Sequence, residues 1–360
     1  MSQADTPAGF VEIPGNPPPP NLVAKLVTTP DGLELRCAIS RPHGASRGTI
    51  LVLQGRNETI EKYFETMADL NGRGFTVATF DWRGQGASEA RAPKPGERES
   101  ASVEDGRRLG HVRGMAGYRI DLECVMKSLV LPDCRPPYSV LAHSMGGLVA
   151  LSASDVLSNR IERMVLSAPL VALPGRTITK RLVRGFSLGA RLAGFGRFPV
   201  RRNALPGAVG TPPDNPLTSD PRRFDRNRRL ATTYPSLFLG APTFSWVAAM
   251  TGAMARLERS AVIARYGIPT LFVCAGADRV VSTKAAERLA WRMRSASSLS
   301  LPGARHELLQ ESDRYRLPLL AALETFFEPS MPMPEAGHRP EDAGDAADGK
   351  QAPARPAEFA

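Results

Sequence analysis

Cysteine is scarce in this chain. Four occur in 360 residues, and Cys37, Cys124, Cys134 and Cys274 form no C-x-x-C pair and no metal-ligand spacing. That excludes a disulfide framework and a thiolate metal site, and leaves reduced thiols as the expectation. No apolar run is long enough to span a bilayer. The first residues, Met1-Ser2-Gln3-Ala4-Asp5, lack a basic stretch followed by an apolar core, so no secretory signal is expected. No internal repeat is evident. Basic residues exceed acidic ones, for a net charge of +10, yet no nucleic-acid-binding motif accompanies them. With 42% hydrophobic and 23% charged residues, the composition is that of a globular protein, and the expected location is the cytoplasm.

The order of apolar segments is informative. Residues 1–21 are rich in Pro, Gly and small side chains, with Pro17 to Pro20 in a row, and read as a flexible or extended arm. A hairpin follows, Ala24–Thr29 and Leu33–Ser40 around Pro30-Asp31-Gly32. Thr49–Gln54, Phe75–Trp82, Tyr138–Leu141, Ile161–Ser167, Thr270–Ala275 and Leu299–Leu301 read as strands. Helical spacing lies over Thr59–Asn71, Tyr118–Leu131, Gly146–Leu157, Ser282–Arg294 and Arg314–Phe327. Strands alternating with helices predict an α/β fold, a mostly parallel central sheet with helices on both faces. Ligands then bind beyond the carboxyl ends of the strands. Residues 169–262 break the rhythm with dense Pro, Gly and Arg and read as an inserted helical cap. The core is expected over 22–168 and 263–328. Residues 329–360 have almost no large apolar side chains and are expected to be a disordered tail.

The chemistry is carried by Leu141-Ala142-His143-Ser144-Met145-Gly146-Gly147. A serine on a sharp turn from strand to helix is a nucleophile elbow, for which the usual pattern is G-x-S-x-G. Ala142 replaces the first glycine, at the cost of one methyl group. A serine hydroxyl needs a base, and histidine has a suitable pKa. Of five histidines, His338 lies in the tail, His43 follows an N-terminal strand, and His143 should point away from the pocket. His306, just after the last strand, is the choice, with His111 second. Asp278, after the strand Thr270–Ala275, is the carboxylate that would fix the histidine's tautomer; its competing reading is a helix cap. Ser, Asp, His is the chain order of α/β-hydrolases. The expected oxyanion donors are the backbone N–H groups of Met145 and of Arg56, after Gly55.

Several further segments agree. Gln54-Gly55-Arg56-Asn57-Glu58 with Lys62-Tyr63 resembles the H-G-x-x-E…R-Y segment of monoacylglycerol lipases and bacterial lysophospholipases. Asp81-Trp82-Arg83-Gly84-Gln85-Gly86-Ala87-Ser88 is similar to their D-x-R-G-H-G-x-S loop. Gly110-His111-Val112, Tyr118 and Asp121-Leu122 resemble the next block. Arg305-His306-Glu307-Leu308-Leu309-Gln310-Glu311 resembles the histidine block. Asn215–Asp220 and Gly240–Trp246 resemble cap segments of the lysophospholipase branch. The likeness runs in order from residue 22 to 328. It departs at Gln54 and Gln85, each in place of a histidine, and at Arg56, where the family often has a small residue.

The resemblance implies an α/β-hydrolase fold and hydrolysis of a single-chain lipid ester, by Ser144, His306 and Asp278, without cofactor or metal. A lysophospholipid is the expected substrate, with a monoacylglycerol or a general carboxylic ester as alternatives and a non-catalytic scaffold as the reading from another class. The Arg56 side chain should either crowd the pocket or meet an anionic head group. The cap carries many basic residues, among them Arg176, Lys180, Arg181, Arg184, Arg191, Arg197, Arg201, Arg202, Arg222, Arg223, Arg226, Arg228 and Arg229. Leu182, Phe186, Gly189 and Ala193 could form one helix stripe, with Arg184 and Arg191 on another. Such a surface suits peripheral contact with the anionic inner face of a membrane, the competing reading being a solvated arginine-rich cap. Phe186, Leu188, Leu192, Phe195, Leu237, Phe238 and Trp246 are candidate acyl-chain contacts.

Overall fold

The computed structural model describes residues 9–90, 108–175, 177–200 and 214–328. The tail over 329–360, His338, and the cap residues Arg176, Arg201 and Arg202 fall outside them. Among the described residues, eight strands form one sheet in the order β1-β2-β4-β3-β5-β6-β7-β8. They are β1 (Val23–Thr28), β2 (Glu34–Ser40), β3 (Thr49–Leu53), β4 (Thr76–Phe80), β5 (Tyr138–His143), β6 (Ile161–Ser167), β7 (Thr270–Ala275) and β8 (Ala296–Leu301). The hairpin β1–β2 joins β4 antiparallel, and the remaining pairs are parallel. β3, β4, β5 and β7 are largely apolar and buried, apart from the half-buried Tyr138 at the start of β5, as strands covered on both faces must be.

The main helices are α1 (Phe64–Gly72), α2 (Met115–Val125), α3 (Met145–Ser152), α4 (Thr177–Ala190), α5 (Pro221–Thr233), α6 (Phe244–Leu257), α7 (Thr283–Arg292) and α8 (Asp313–Phe327). One face of the sheet packs on α1 and α8 through Phe64, Met67, Leu70, Leu319 and Leu323. The other packs on α2, α3 and α7 through Leu122, Val125, Leu148, Leu151 and Leu289. The strand order reverses between β3 and β5. The chain leaves both strands at the same sheet edge, so the segments after Leu53 and His143 face each other at the switch point, where open α/β sheets bind ligands.

α4, α5 and α6 all lie between β6 and β7. Glu65 and Asp313 of the core, with Asp220 at the helix's own N-terminus, hold the arginines of α5. Arg223 reaches Glu65 at 2.6 Å, Asp220 at 3.0 Å and Asp313 at 2.8 Å, and Arg226 reaches Glu65 at 2.6 Å. Part of the basic charge expected on the cap surface is therefore neutralised inside the protein.

The N-terminal arm differs from a flexible segment over residues 9–21. Val11 and Ile13 pack with Leu230, Ala231, Leu237 and Phe238. The Asn16 side chain donates to the Glu61 carbonyl at 2.9 Å, and Phe10 meets Phe64 edge-on at 5.8 Å. Proline-rich composition marked the arm as extended. The few apolar side chains among the prolines are what anchor it.

Candidate active site

Ser144 sits between β5 and α3 with φ 49° and ψ −111°, a left-handed backbone that a non-glycine residue adopts only when its surroundings enforce it. Its N–H donates to the Ser167 carbonyl at 3.1 Å, which fixes the turn to β6. Gly146 makes the turn possible. A Cβ there would stand 2.2 Å from the Leu53 carbonyl oxygen and 2.7 Å from that of Gln54. A Cβ on Gly147 would come 2.8 Å from Pro169 Cβ. Ala142, at the position of the usual first glycine, is fully buried within β5.

His306 follows β8 and lies between the other two groups. Its Nε2 is 3.0 Å from Ser144 Oγ, and its Nδ1 is 2.8 Å from Asp278 Oδ2. A carboxylate can only accept, so Nδ1 carries the proton and the Nε2 lone pair faces the serine hydroxyl. Asp278 Oδ1 accepts the N–H groups of Val280 at 2.7 Å and Val281 at 2.9 Å. Burial opposes the charge on Asp278, but His306 and these amides outweigh it and lower its pKa below the ordinary aspartate value. The helix-cap reading of Asp278 is answered locally: Ser282 caps α7 by accepting from the Ala285 N–H. His111 lies elsewhere, 3.5 Å from Thr243 Oγ1, and His43 is exposed.

The loop after β3 brings Arg56 to the same place. The Gly55 N–H donates to Glu58 Oε2 at 2.5 Å, and the Asn57 N–H donates to Gln85 Oε1 at 2.6 Å. Between them, the Arg56 N–H has no acceptor among the described residues, and neither has the N–H of Met145 at the start of α3. Arg56 and Met145 line the same cavity as Ser144, and two unused backbone donors there are what an oxyanion site requires. Gln85 does as an acceptor what a histidine could do there. Gln54 is fully buried, and its Nε2 lies 3.4 Å from Thr79 Oγ1.

Two features of the site differ from, or go unseen in, the sequence reading. His143 does not point away. It lines the cavity, its ring 5.0 Å from that of His306, because its Nδ1 is tied to the Ser167 carbonyl at 3.1 Å. Burial lowers its pKa to about 4, against the pull of Glu58, so it is neutral at physiological pH. The unseen feature is a buried ionic cluster. Lys62 Nζ lies 2.6 Å from Glu58 Oε1 and 2.7 Å from Glu307 Oε1, and the Tyr63 hydroxyl donates to Glu58 Oε2 at 2.6 Å. The cluster joins the Arg56 loop to the residue after His306. The i,i+4 spacing of Glu58 and Lys62 was a visible signal; Glu307, 245 residues away in the chain, was not.

Above the serine is a cavity of about 640 Å³, lined mainly by apolar side chains from the segment between β6 and β7. Among the candidate acyl-chain contacts, Phe186, Phe238 and Trp246 line it. Leu188, Leu192 and Phe195 face solvent, and Leu237 packs with Ile13.

A mostly parallel sheet with a strained serine after β5, paired in chain order with an aspartate and a histidine, defines an α/β-hydrolase. Residues 44–313 match a family model described as serine aminopeptidase, S33, and the chain belongs to that family. A probable lysophospholipase L2 of Haemophilus influenzae is 28% identical over 79% of this chain and 85% of its own. The lysophospholipase L2 of Escherichia coli K12 is 29% identical over 77% of this chain and 79% of its own. A soluble variant of monoglyceride lipase from Saccharomyces cerevisiae, solved with a substrate analogue, shares the fold. Its TM-score is 0.62 at 20% identity, covering 84% of this chain and 95% of that one.

Proposed function

We propose that the protein is a serine carboxylic ester hydrolase acting on single-acyl-chain lipids, and that its substrate is a lysophospholipid. The observation that carries the reading is His306 held between Asp278 and Ser144 at the floor of an apolar cavity. His306 Nε2 takes the Oγ proton as Ser144 attacks the ester carbonyl carbon. The charge that develops on the carbonyl oxygen is held by the N–H groups of Met145 and Arg56. His306 returns the proton to the departing alcohol oxygen, leaving an acyl-serine. Water, deprotonated by the same nitrogen, then attacks that ester, releasing the fatty acid and restoring the hydroxyl. Asp278 holds the tautomer and stabilises the transient imidazolium. No step needs a cofactor. The cavity suits one acyl chain, and the lysophospholipase L2 relatives support the lysophospholipid over a neutral glycerol ester.

We place the cap, residues 169–262, at the lipid surface. No helix among the described residues is long and apolar enough to cross a membrane. Yet Ile178, Leu182, Phe186 and Leu192 are 60%, 66%, 69% and 79% exposed, beside the exposed Arg181, Arg184 and Arg191. An apolar stripe flanked by cations is the pattern of a helix lying in an anionic membrane interface.

Fatty-acid release from lysophosphatidylcholine, a monoacylglycerol and a short nitrophenyl ester tests the reading, with Ser144→Ala as the control. Lysophospholipid turnover that vanishes in the variant is expected. Turnover of glycerol esters alone would make the protein a monoacylglycerol lipase. Turnover of the short ester alone would make it a general carboxylesterase. An inert wild-type protein would leave a scaffold.

A further inference from the structure

Among the described residues, the cavity wall carries two cations, Arg56 and Lys62, in opposite circumstances. Lys62 is neutralised between Glu58 and Glu307. Arg56 has no carboxylate partner among the described residues. Its Nη2 donates to the Gly240 carbonyl at 2.6 Å, and its guanidinium carbon stands 5.2 Å from the centre of the Trp246 ring. Its Nε is buried without an acceptor, and Nη1 has no acceptor among the described residues. Burial lowers the pKa of Arg56 to about 10, which leaves it a cation at neutral pH. A partly buried guanidinium with free donors and no counter-ion is costly unless an anion from outside completes it.

We infer that the Arg56 side chain binds the phosphate of the substrate's head group. The inference rests on the proposed hydrolysis of single-chain lipid esters and specifies how a phospholipid would be told from a neutral one. The backbone N–H of Arg56 faces the ester carbonyl, so its guanidinium lies one side-chain length from the scissile bond. The glycerol of a lysophospholipid separates its ester carbonyl from its phosphorus by a comparable length. One residue thus contacts both ends of the glycerol unit. Trp246 and the Gly240 carbonyl fix the guanidinium plane, and the remaining donors match the oxygens of a phosphate diester. A monoacylglycerol has a hydroxyl at that position and leaves the cation uncompensated.

The test compares wild type with Arg56→Met and Arg56→Lys on lysophosphatidylcholine and on a monoacylglycerol of the same acyl chain. Because the backbone of Arg56 belongs to the oxyanion loop, the quantity read is the ratio of the two kcat/KM values, in which a common loss cancels. The ratio should fall at least tenfold in Arg56→Met, through KM, and less in Arg56→Lys. An unchanged ratio overturns the inference. Inhibition of short nitrophenyl ester hydrolysis by glycerol 3-phosphate and by inorganic phosphate reads the subsite without lysophospholipid turnover. Glycerol 3-phosphate should compete with wild type and not with Arg56→Met. Failure to compete with wild type overturns the inference even if lysophospholipids are hydrolysed. Equal competition by inorganic phosphate, with an unchanged substrate ratio, would make this a free-anion site and overturn the head-group role. If glycerol 3-phosphate competes through Arg56 but no lysophospholipid turns over, the subsite stands and the proposed substrate fails.

Discussion

Glu58 makes no contact with the serine, yet its replacement should slow the reaction. Its carboxylate accepts at one oxygen from Gly55 N–H and Tyr63 OH, and at the other from Lys62. Burial disfavours its charge, but Lys62, His143 and Tyr63 outweigh burial and hold its pKa at about 2. A glutamine fits the volume but has one acceptor oxygen, so an amide NH2 must face either Lys62 or the two neutral donors. Losing a hydrogen bond to a charged group costs about 1.5–3 kcal/mol. Glu58→Ala leaves Lys62 paired with Glu307 but loses the hydrogen bonds to Gly55, Tyr63 and Lys62 together, so it should cost more than the glutamine. The catalytic consequence comes through Gly55. Once its N–H is released, the neighbouring Arg56 N–H is no longer held beside the serine. Complete loss of one oxyanion donor costs about 10²–10³ in kcat, so folded Glu58→Gln should lose about tenfold or more, within that ceiling, with KM little changed. Urea unfolding and steady-state kinetics on a short ester read both effects. Wild-type kcat in a folded Glu58→Gln protein, or a change in KM alone, would refute the positioning role.

Gly146→Ala places a Cβ against two backbone oxygens that cannot rotate away, so a loss of about 3 kcal/mol or more is expected; thermal melts and soluble yield check it. Glu65 links α1 to Arg223 and Arg226, and despite burial these arginines hold its pKa at about 2. A depressed carboxylate pKa stabilises the fold above the unfolded value of 4.5, and the benefit is lost as pH falls towards about 2. Hydrogen-exchange protection of α5, taken relative to the intrinsic exchange rate, should therefore fall over that window, and Glu65→Gln should weaken this pH dependence. Leu182→Asp with Leu192→Asp removes two exposed apolar side chains, each contributing up to about 2 kcal/mol when buried in lipid. Sedimentation with anionic vesicles should show at least a tenfold loss of binding, with hydrolysis of a soluble ester retained.

Much of the sheet and the elbow was legible because local rules govern them. Buried parallel strands read as apolar runs, and a small residue two beyond the serine is demanded by a backbone contact that only glycine allows. Chain order placed Asp278 and His306 at strand ends, which is where the sheet collects them. What was not legible depends on partners distant in the chain. His143 turns into the cavity because a carbonyl on β6 receives its Nδ1, and the strand pattern around it holds no trace of that bond. The arm over residues 9–21 read as a flexible or extended proline-rich chain, and its few apolar side chains anchor it because they pack with Leu230 and Phe238. Counting arginines overstated the surface charge of the cap, since Arg223 and Arg226 are consumed by Glu65, whose role nothing in its own helix announces.

The central claim is that Ser144 becomes acylated. Mass spectrometry of the protein after a fluorophosphonate probe, beside Ser144→Ala and His306→Ala, tests it most directly. The account predicts a single adduct on the peptide holding Ser144, absent from the alanine variant at 144 and strongly slowed without His306. An adduct on another residue, or labelling of Ser144 that ignores the loss of His306, would contradict it.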